Sequence, residues 1–484
     1  MRPIHSPRTA ISLGGIAALL LGAGCSAPAE TEDIATSEQN AIGDVTPGTQ
    51  VDADLLAEAR EAFAANEGIG DGVGPIFNER ACGNCHTNGA MGGAGEQIER
   101  RFGRFVNNGQ SFDPLANRGG SLRQLFTVAN FNNPDLPAGS RGRCQAGNPT
   151  LCCVPQEVDA AEATVRNVGR RTQPLFGLGL VDSIPDSFFD GLAAAQPAAI
   201  RGTVNRVQVS IPNPGDPSQS LNSTRVARFG WKAGVPSLMQ FSADAYVNEM
   251  AITTQSCFRG QSLNAFALES APNGVAVFDG CDDLAERQAA ADNPGGLTAT
   301  QWAQVDDAVG SCAGNRTEIQ DDVFLFAVFM TSLGPAPRDF SNAIEVARGD
   351  PLFTQVGCNG CHVRNTFRTP ANPAPLDIDG GGEETIRVPA NFAFNPFGDF
   401  LVHDMGPLGD QIGNAGDSPA VTRRMRTQPL WGIRFQNKLL HDGRCSDIRC
   451  AILAHGGQAL ASRNAFAALT SAQQHSLTEF VRSL

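Results

Sequence analysis

The chain has 484 residues and carries 50 acidic against 36 basic side chains, a formal net charge of −14 at pH 7. With 41% hydrophobic and 18% charged residues it has the apolar material for a sizeable core, which excludes wholesale disorder. So acidic a surface repels phosphate backbones and excludes nucleic acid as a partner.

At the N-terminus, Arg2 and Arg8 precede an apolar run from Ile11 to Leu21 that is too short for a stable membrane span. The run ends in Leu21-Gly22-Ala23-Gly24-Cys25, which resembles a bacterial lipobox. Residues 1–24 are therefore expected to be a lipoprotein signal peptide, with Cys25 taking the lipid. Ser26 is compatible with outer-membrane sorting, so the periplasmic side of the envelope is the expected location. Residues 25–50 are small, polar and acidic and predict a flexible tether. Further on, residues 323–330 (VFLFAVFM) predict a buried amphipathic helix ending near Gly334.

Two motifs carry the chemistry. Cys82-Gly83-Asn84-Cys85-His86 and Cys358-Asn359-Gly360-Cys361-His362 are both C-x-x-C-H, the attachment signature of c-type haem. Two cysteines three apart reach the vinyl groups on one porphyrin edge as thioethers, and the adjacent histidine is placed to ligate the iron. Two covalently bound haem c groups are expected, with His86 and His362 as proximal ligands. Eight cysteines remain once Cys25 and the motifs are set aside, enough for up to four disulfides, and Cys445 with Cys450 is the best local pair.

The motifs sit in a duplication. Pro75-Ile76-Phe77 precedes the first as Pro351-Leu352-Phe353 precedes the second, and the proline suits the first turn of a short helix. The segment Arg171-Thr172-Gln173-Pro174-Leu175-Phe176-Gly177 recurs as Arg426-Thr427-Gln428-Pro429-Leu430-Trp431-Gly432. The expected fold is mainly α, with two cytochrome-c-like haem domains, long loops and a small β insertion. Residues 51–340 form the first domain, with a strand from Val204 to Ile211 and a cysteine-bearing insertion near 255–315; residues 341–484 form the second.

On GPIFNERACGNCH, RTQPLFGLGL, RFGWKAGVPSLMQ, LVHDMGPLGD, RTQPLWG, LLHDGR and AILAHGG, the chain resembles the di-haem oxidoreductases of peroxidase type, over roughly residues 55–484. These are relatives of bacterial di-haem cytochrome c peroxidases and of the methylamine-utilisation di-haem enzymes. The resemblance implies an enzyme that reduces peroxide at the N-terminal haem, with electrons passed through the C-terminal haem. It assigns Trp231 as an electron relay between the haems, Glu249 as the acid/base that shuttles the peroxide proton, and Gln240 as a residue that positions peroxide.

Seven histidines make the axial ligands countable. None lies between His86 and His362, so the first iron has no distal histidine from its own half and is the expected reactive one; closure by Met91 or another methionine is the alternative. For the second iron the candidates are His455, Met405, His441 and His403. His455 is preferred: it follows Ala451 and Ile452 on the apolar face of a helix that ends at Gly456-Gly457. His441 reads as a turn histidine and His475 as solvated. The expected partners are a small electron-donor protein or a quinol-linked donor, peroxide or dioxygen, and the outer membrane through the lipid. The competing functions are a di-haem oxygenase acting on an organic substrate and a non-catalytic electron-transfer lipoprotein.

Overall fold

A computed structural model describes residues 41–68, 73, 76–127, 157–252, 322–364, 367–377, 382 and 384–484. Cys25, the signal peptide and the insertion near 255–315 lie outside the described residues.

The helices are α1 Ala53–Ala64, α2 Cys82–Cys85, α3 Leu178–Asp182, α4 Asp186–Ala195, α5 Leu238–Met250 and α6 Asp322–Ser332. They continue with α7 Ala343–Gln355, α8 Pro419–Thr422, α9 Ile448–Ala454, α10 Leu460–Ala467 and α11 Ser471–Arg482. Among the described residues these eleven helices alternate with fifteen short strands in six sheets, so the expectation of a mainly α, cytochrome-c-like fold is corrected. Most strands are two or three residues long. Backbone that turns that often cannot satisfy its N–H and C=O groups within helices, and pairs instead in short ribbons. The Val204–Ile211 strand shrinks to Arg206–Gln208, paired with Thr224–Val226.

The largest sheet is built on Ile98–Val106, which pairs antiparallel with Ser111–Asp113, Leu122–Arg123 and Val165–Arg171. Its register sets Glu99 opposite Arg170 and Ile98 opposite Arg171, carrying charged side chains from distant parts of the chain to one edge.

α6 occupies the centre of the main core. Every residue from Val323 to Ser332 is buried, so the helix is apolar on all sides rather than amphipathic. It packs against α1, α3 and α5. Residues 44–46, expected in the tether, are pinned to its end: Thr46 N donates to Ser332 O at 2.9 Å and Gly334 N to Asp44 O at 2.8 Å. A second core lies between α7 and α11, with Phe353, Phe397, Phe466 and Phe480 at its centre. The helices approach closely at Gly349, where a Cβ would lie 2.0 Å from the Ser476 carbonyl oxygen. Pro351 lies inside α7 instead of in a first turn, and its counterpart is followed by a strand, Ile76–Phe77. No helix among the described residues is long and apolar enough to cross a membrane.

The two repeats are joined closely. Gln50–Val51 pairs with Thr385–Arg387, and residues 40–484 form one compact unit. Arg171 N donates to His441 O at 2.6 Å, and its repeat counterpart Arg426 N donates to Trp231 O at 2.8 Å. Each repeated segment then ends on a left-handed glycine, Gly177 (φ 69°) and Gly432 (φ 71°), that starts a short helical turn.

Candidate functional site

Each C-x-x-C-H motif folds into a single helical turn. His86 N donates to Cys82 O at 3.1 Å and His362 N to Cys358 O at 3.0 Å, bringing both cysteines and the histidine to one cavity wall. His86 Nδ1 lies 2.9 Å from Gly93 O and His362 Nδ1 lies 2.8 Å from Phe397 O. As donors to these carbonyls, both rings keep Nε2 bare, the tautomer an axial ligand needs. Burial lowers both imidazoles to about 4, so they are neutral. Burial likewise pushes the Cys82 and Cys358 thiols up to about 12. A redox dithiol needs an accessible thiolate, which these sites disfavour. Neutral histidines and cysteine pairs on cavity walls fit the attachment of one haem per cavity.

The first cavity, of about 750 Å³, holds Cys82, Cys85 and His86 on one wall and a cluster of charges on another. Glu249, near the end of α5, receives Asn78 Nδ2 on Oε2 at 2.6 Å. Burial raises its carboxyl well above the usual range, and its hydrogen-bonded neighbour Glu99 raises it further. Glu99 is buried too, but Arg101, 2.6 Å away, outweighs that penalty and holds it low. The result is a carboxyl pair that keeps one proton, on the Glu249 side. Gln240 is not among the lining residues: its Oε1 accepts from Ser210 N at 3.0 Å on the outer side of α5. Nor is Met91, whose sulfur packs near Gly83; the methionines that line the cavity are Met250 and Met330. His86 is the one histidine among the lining residues.

The second cavity, of about 210 Å³, is lined by Cys358, Cys361 and His362 together with apolar side chains such as Phe353, Ile433, Leu439, Ile448 and Ile452. His455, the C-cap of α9, lines it as well. Its Nδ1 lies 2.7 Å from Ala451 O, which leaves Nε2 for the cavity, and burial lowers its basicity. His403 has both nitrogens engaged, Nε2 with Asp399 at 3.0 Å and Nδ1 with Cys361 Sγ at 3.8 Å. Burial disfavours its charge, yet the contacts with Asp399 and Cys361 lift it to about 10, and the same contacts occupy both of its ring nitrogens. Met405 and His441 line the cavity, and His475 is exposed on α11.

Trp231 and Arg171 line both cavities. Trp231 Nε1 donates to Arg171 O at 2.8 Å, and its ring meets that of His441 edge-on at 6.2 Å. Next to it Lys232 Nζ and Arg170 both close on Asp410 at 2.8 Å. Cys445 forms a disulfide with Cys450 in the first turn of α9; the other six cysteines of the expected disulfide set lie outside the described residues.

Sequence reasoning missed Glu99, Arg101 and Asn78. The alternation Glu99-Arg100-Arg101 within IERRF was the available signal, since residues two apart share a strand face. No curated protein matches the chain. Residues 156–484 match the family described as "Di-haem oxidoreductase, putative peroxidase"; this stretch includes the second C-x-x-C-H, Trp231, Glu249 and His455. The first motif precedes it and has the same turn geometry. With two matched cavities and the family match over most of its length, the chain belongs to the di-haem oxidoreductase family.

Proposed function

We propose that the protein reduces peroxide in the first cavity with electrons that enter at the second. The observation that carries this is the Glu249–Glu99 pair, placed by Arg101 in the cavity that also holds Cys82, Cys85 and His86. Haem attached there would supply the electrons and a metal site for the substrate oxygen. The chain's own part is to move protons: Glu249, which carries the proton of the pair while Arg101 keeps Glu99 a carboxylate, gives its proton to the far peroxide oxygen and takes up the one released from the near oxygen. With two electrons and two protons supplied, the peroxide O–O bond breaks and two waters form. The second cavity has no carboxylate among its lining residues and, with His362 and His455 facing it, suits an electron-holding centre of bis-histidine type. Trp231, in the wall common to both, is the natural relay. Both groups are taken to be covalent haem c, and the protein to be anchored by Cys25 on the periplasmic side of the outer membrane. Its donor is taken to be a small protein or a quinol-linked carrier.

The test is turnover by the purified, pre-reduced full chain, with haem counted beforehand by pyridine haemochrome. Two haems per chain and stoichiometric consumption of hydrogen peroxide are expected. Two haems with no peroxide consumption would refute the peroxidase reading, and oxygen uptake with an organic co-substrate would replace it with the oxygenase one.

A further inference from the structure

Buried guanidiniums in this chain follow a rule. Arg170 pairs with Asp410 at 2.8 Å, Arg225 with Asp182 at 2.8 Å, and Arg228 with Asp186. A cation taken out of water needs an anion. Arg171 and Arg426 break the rule. They are 4% and 5% exposed, and among the described residues neither has an ion-pair partner.

Their side-chain contacts are neutral. Arg171 Nη2 donates to Gln436 Oε1 at 2.5 Å. Arg426 donates to Gly230 O and Gln428 Oε1, both at 2.7 Å, and its guanidinium lies 5.2 Å from the Phe400 ring centroid. Arg171 Nε and Nη1 and Arg426 Nη1 are buried N–H groups without an acceptor. Gln173 Nε2 and Gln428 Nε2 share that condition. Burial lowers the two guanidiniums to about 10 and about 9, with Glu96 and Asp399 respectively pulling the other way.

All four residues come from the repeated Arg-Thr-Gln-Pro-Leu segment, and all face the cavities. Gln173 lines the first, Arg426 and Gln428 line the second, and Arg171 lines both. A haem tethered by its vinyl edge to the cysteines carries its propionate carboxylates on the opposite edge, and so brings anions to the far part of each cavity. We propose that Arg171, Arg426, Gln173 and Gln428 are the propionate anchors. Arg426 and Gln428 serve the haem of the second cavity, Gln173 that of the first, and Arg171 both. Planar guanidinium forks and amide donors suit a carboxylate. The orphaned donors of each repeat become satisfied by the same kind of group. This rests on the reading that each cavity holds one haem.

The experiment uses the full haem-loaded chain and reads midpoint potentials by spectroelectrochemical titration, after a haem count. A wild-type chain without two haems would defeat the di-haem reading itself. With two haems present, removing a cation that faces a propionate stabilises the ferric state. Arg426→Leu is expected to lower one of the two potentials, and Arg171→Leu to lower both. Arg→Lys at either site, which keeps the charge and loses the fork, is expected to give a smaller drop. If the leucine variants do not mature, Gln173→Leu and Gln428→Leu each remove one neutral donor and are expected to lower one potential apiece. Two-haem variants whose potentials equal those of the wild type would overturn the assignment, and movement of a single potential in Arg171→Leu would overturn its shared role.

Discussion

Replacing Asp410 by asparagine tests how the wall between the cavities is held. The Asp410 side chain is fully buried, with Oδ2 on Arg170 and Oδ1 on Lys232 Nζ, each at 2.8 Å. Lys232 also donates to the carbonyls of Thr422 (2.6 Å) and Arg424 (2.7 Å). Burial by itself would raise the carboxyl, but Arg170 and then Lys232 outweigh it and hold Asp410 at about 2 against an ordinary 3.8. A carboxyl depressed by that much contributes about 2 kcal/mol at neutral pH. Asparagine removes this and leaves two buried cations facing a neutral amide, so the full loss is expected at about 3–5 kcal/mol. The measurement is denaturant unfolding of the haem-loaded protein at pH 7, repeated down the acid range. Because the folded value is depressed, this contribution is complete above about pH 4 and disappears as pH falls toward about 2, and the Asn variant should lack that limb. A difference below about 1 kcal/mol at pH 7 would refute the claim that this pair of charges is uncompensated without Asp410.

Glu249→Gln should keep both haem spectra and slow peroxide turnover by roughly 10²–10⁴-fold, read by stopped-flow at saturating donor. In the wild type, turnover should fall on an alkaline limb where the pair gives up its shared proton, since burial and Glu99 raise Glu249. The variant should have no such limb, and equal rates would reduce Glu249 to a structural group. His455→Ala should convert one low-spin haem to high-spin in electron paramagnetic resonance; an unchanged spectrum would pass the ligand role to another residue lining that cavity, such as Met405 or His441.

The parts legible in the sequence were those whose chemistry demands local spacing. Cysteines three apart with a following histidine must lie on one turn, and the turn forms as expected in both repeats. The place of His455 on the second cavity's wall was legible because histidines are few and its helix has one apolar face. Glu99 was not, because it lies on a strand and Glu249 on α5, and tertiary packing rather than spacing brings them together. Gln240 stands apart from Glu249 for a reason the helix itself supplies. It lies nine residues before Glu249 on α5, and nine residues at about 100° each turn a side chain to the opposite face. The fold class was misjudged because strands of two or three residues are too short to display a period of two.

The exchange of backbone bonds between the repeats, Arg171 to His441 and Arg426 to Trp231, has a kinetic consequence. Many two-centre redox proteins bring their centres together by swinging one module toward the other, and their internal transfer slows in viscous solvent. Here each half is finished by the carbonyls of the other, and the strand at residues 50–51 ties the start of the first repeat into the second. Among the described residues these bonds tie the two halves together. Under the proposed routing through Trp231, passage across this wall should be indifferent to glycerol or sucrose and respond only to what changes the wall.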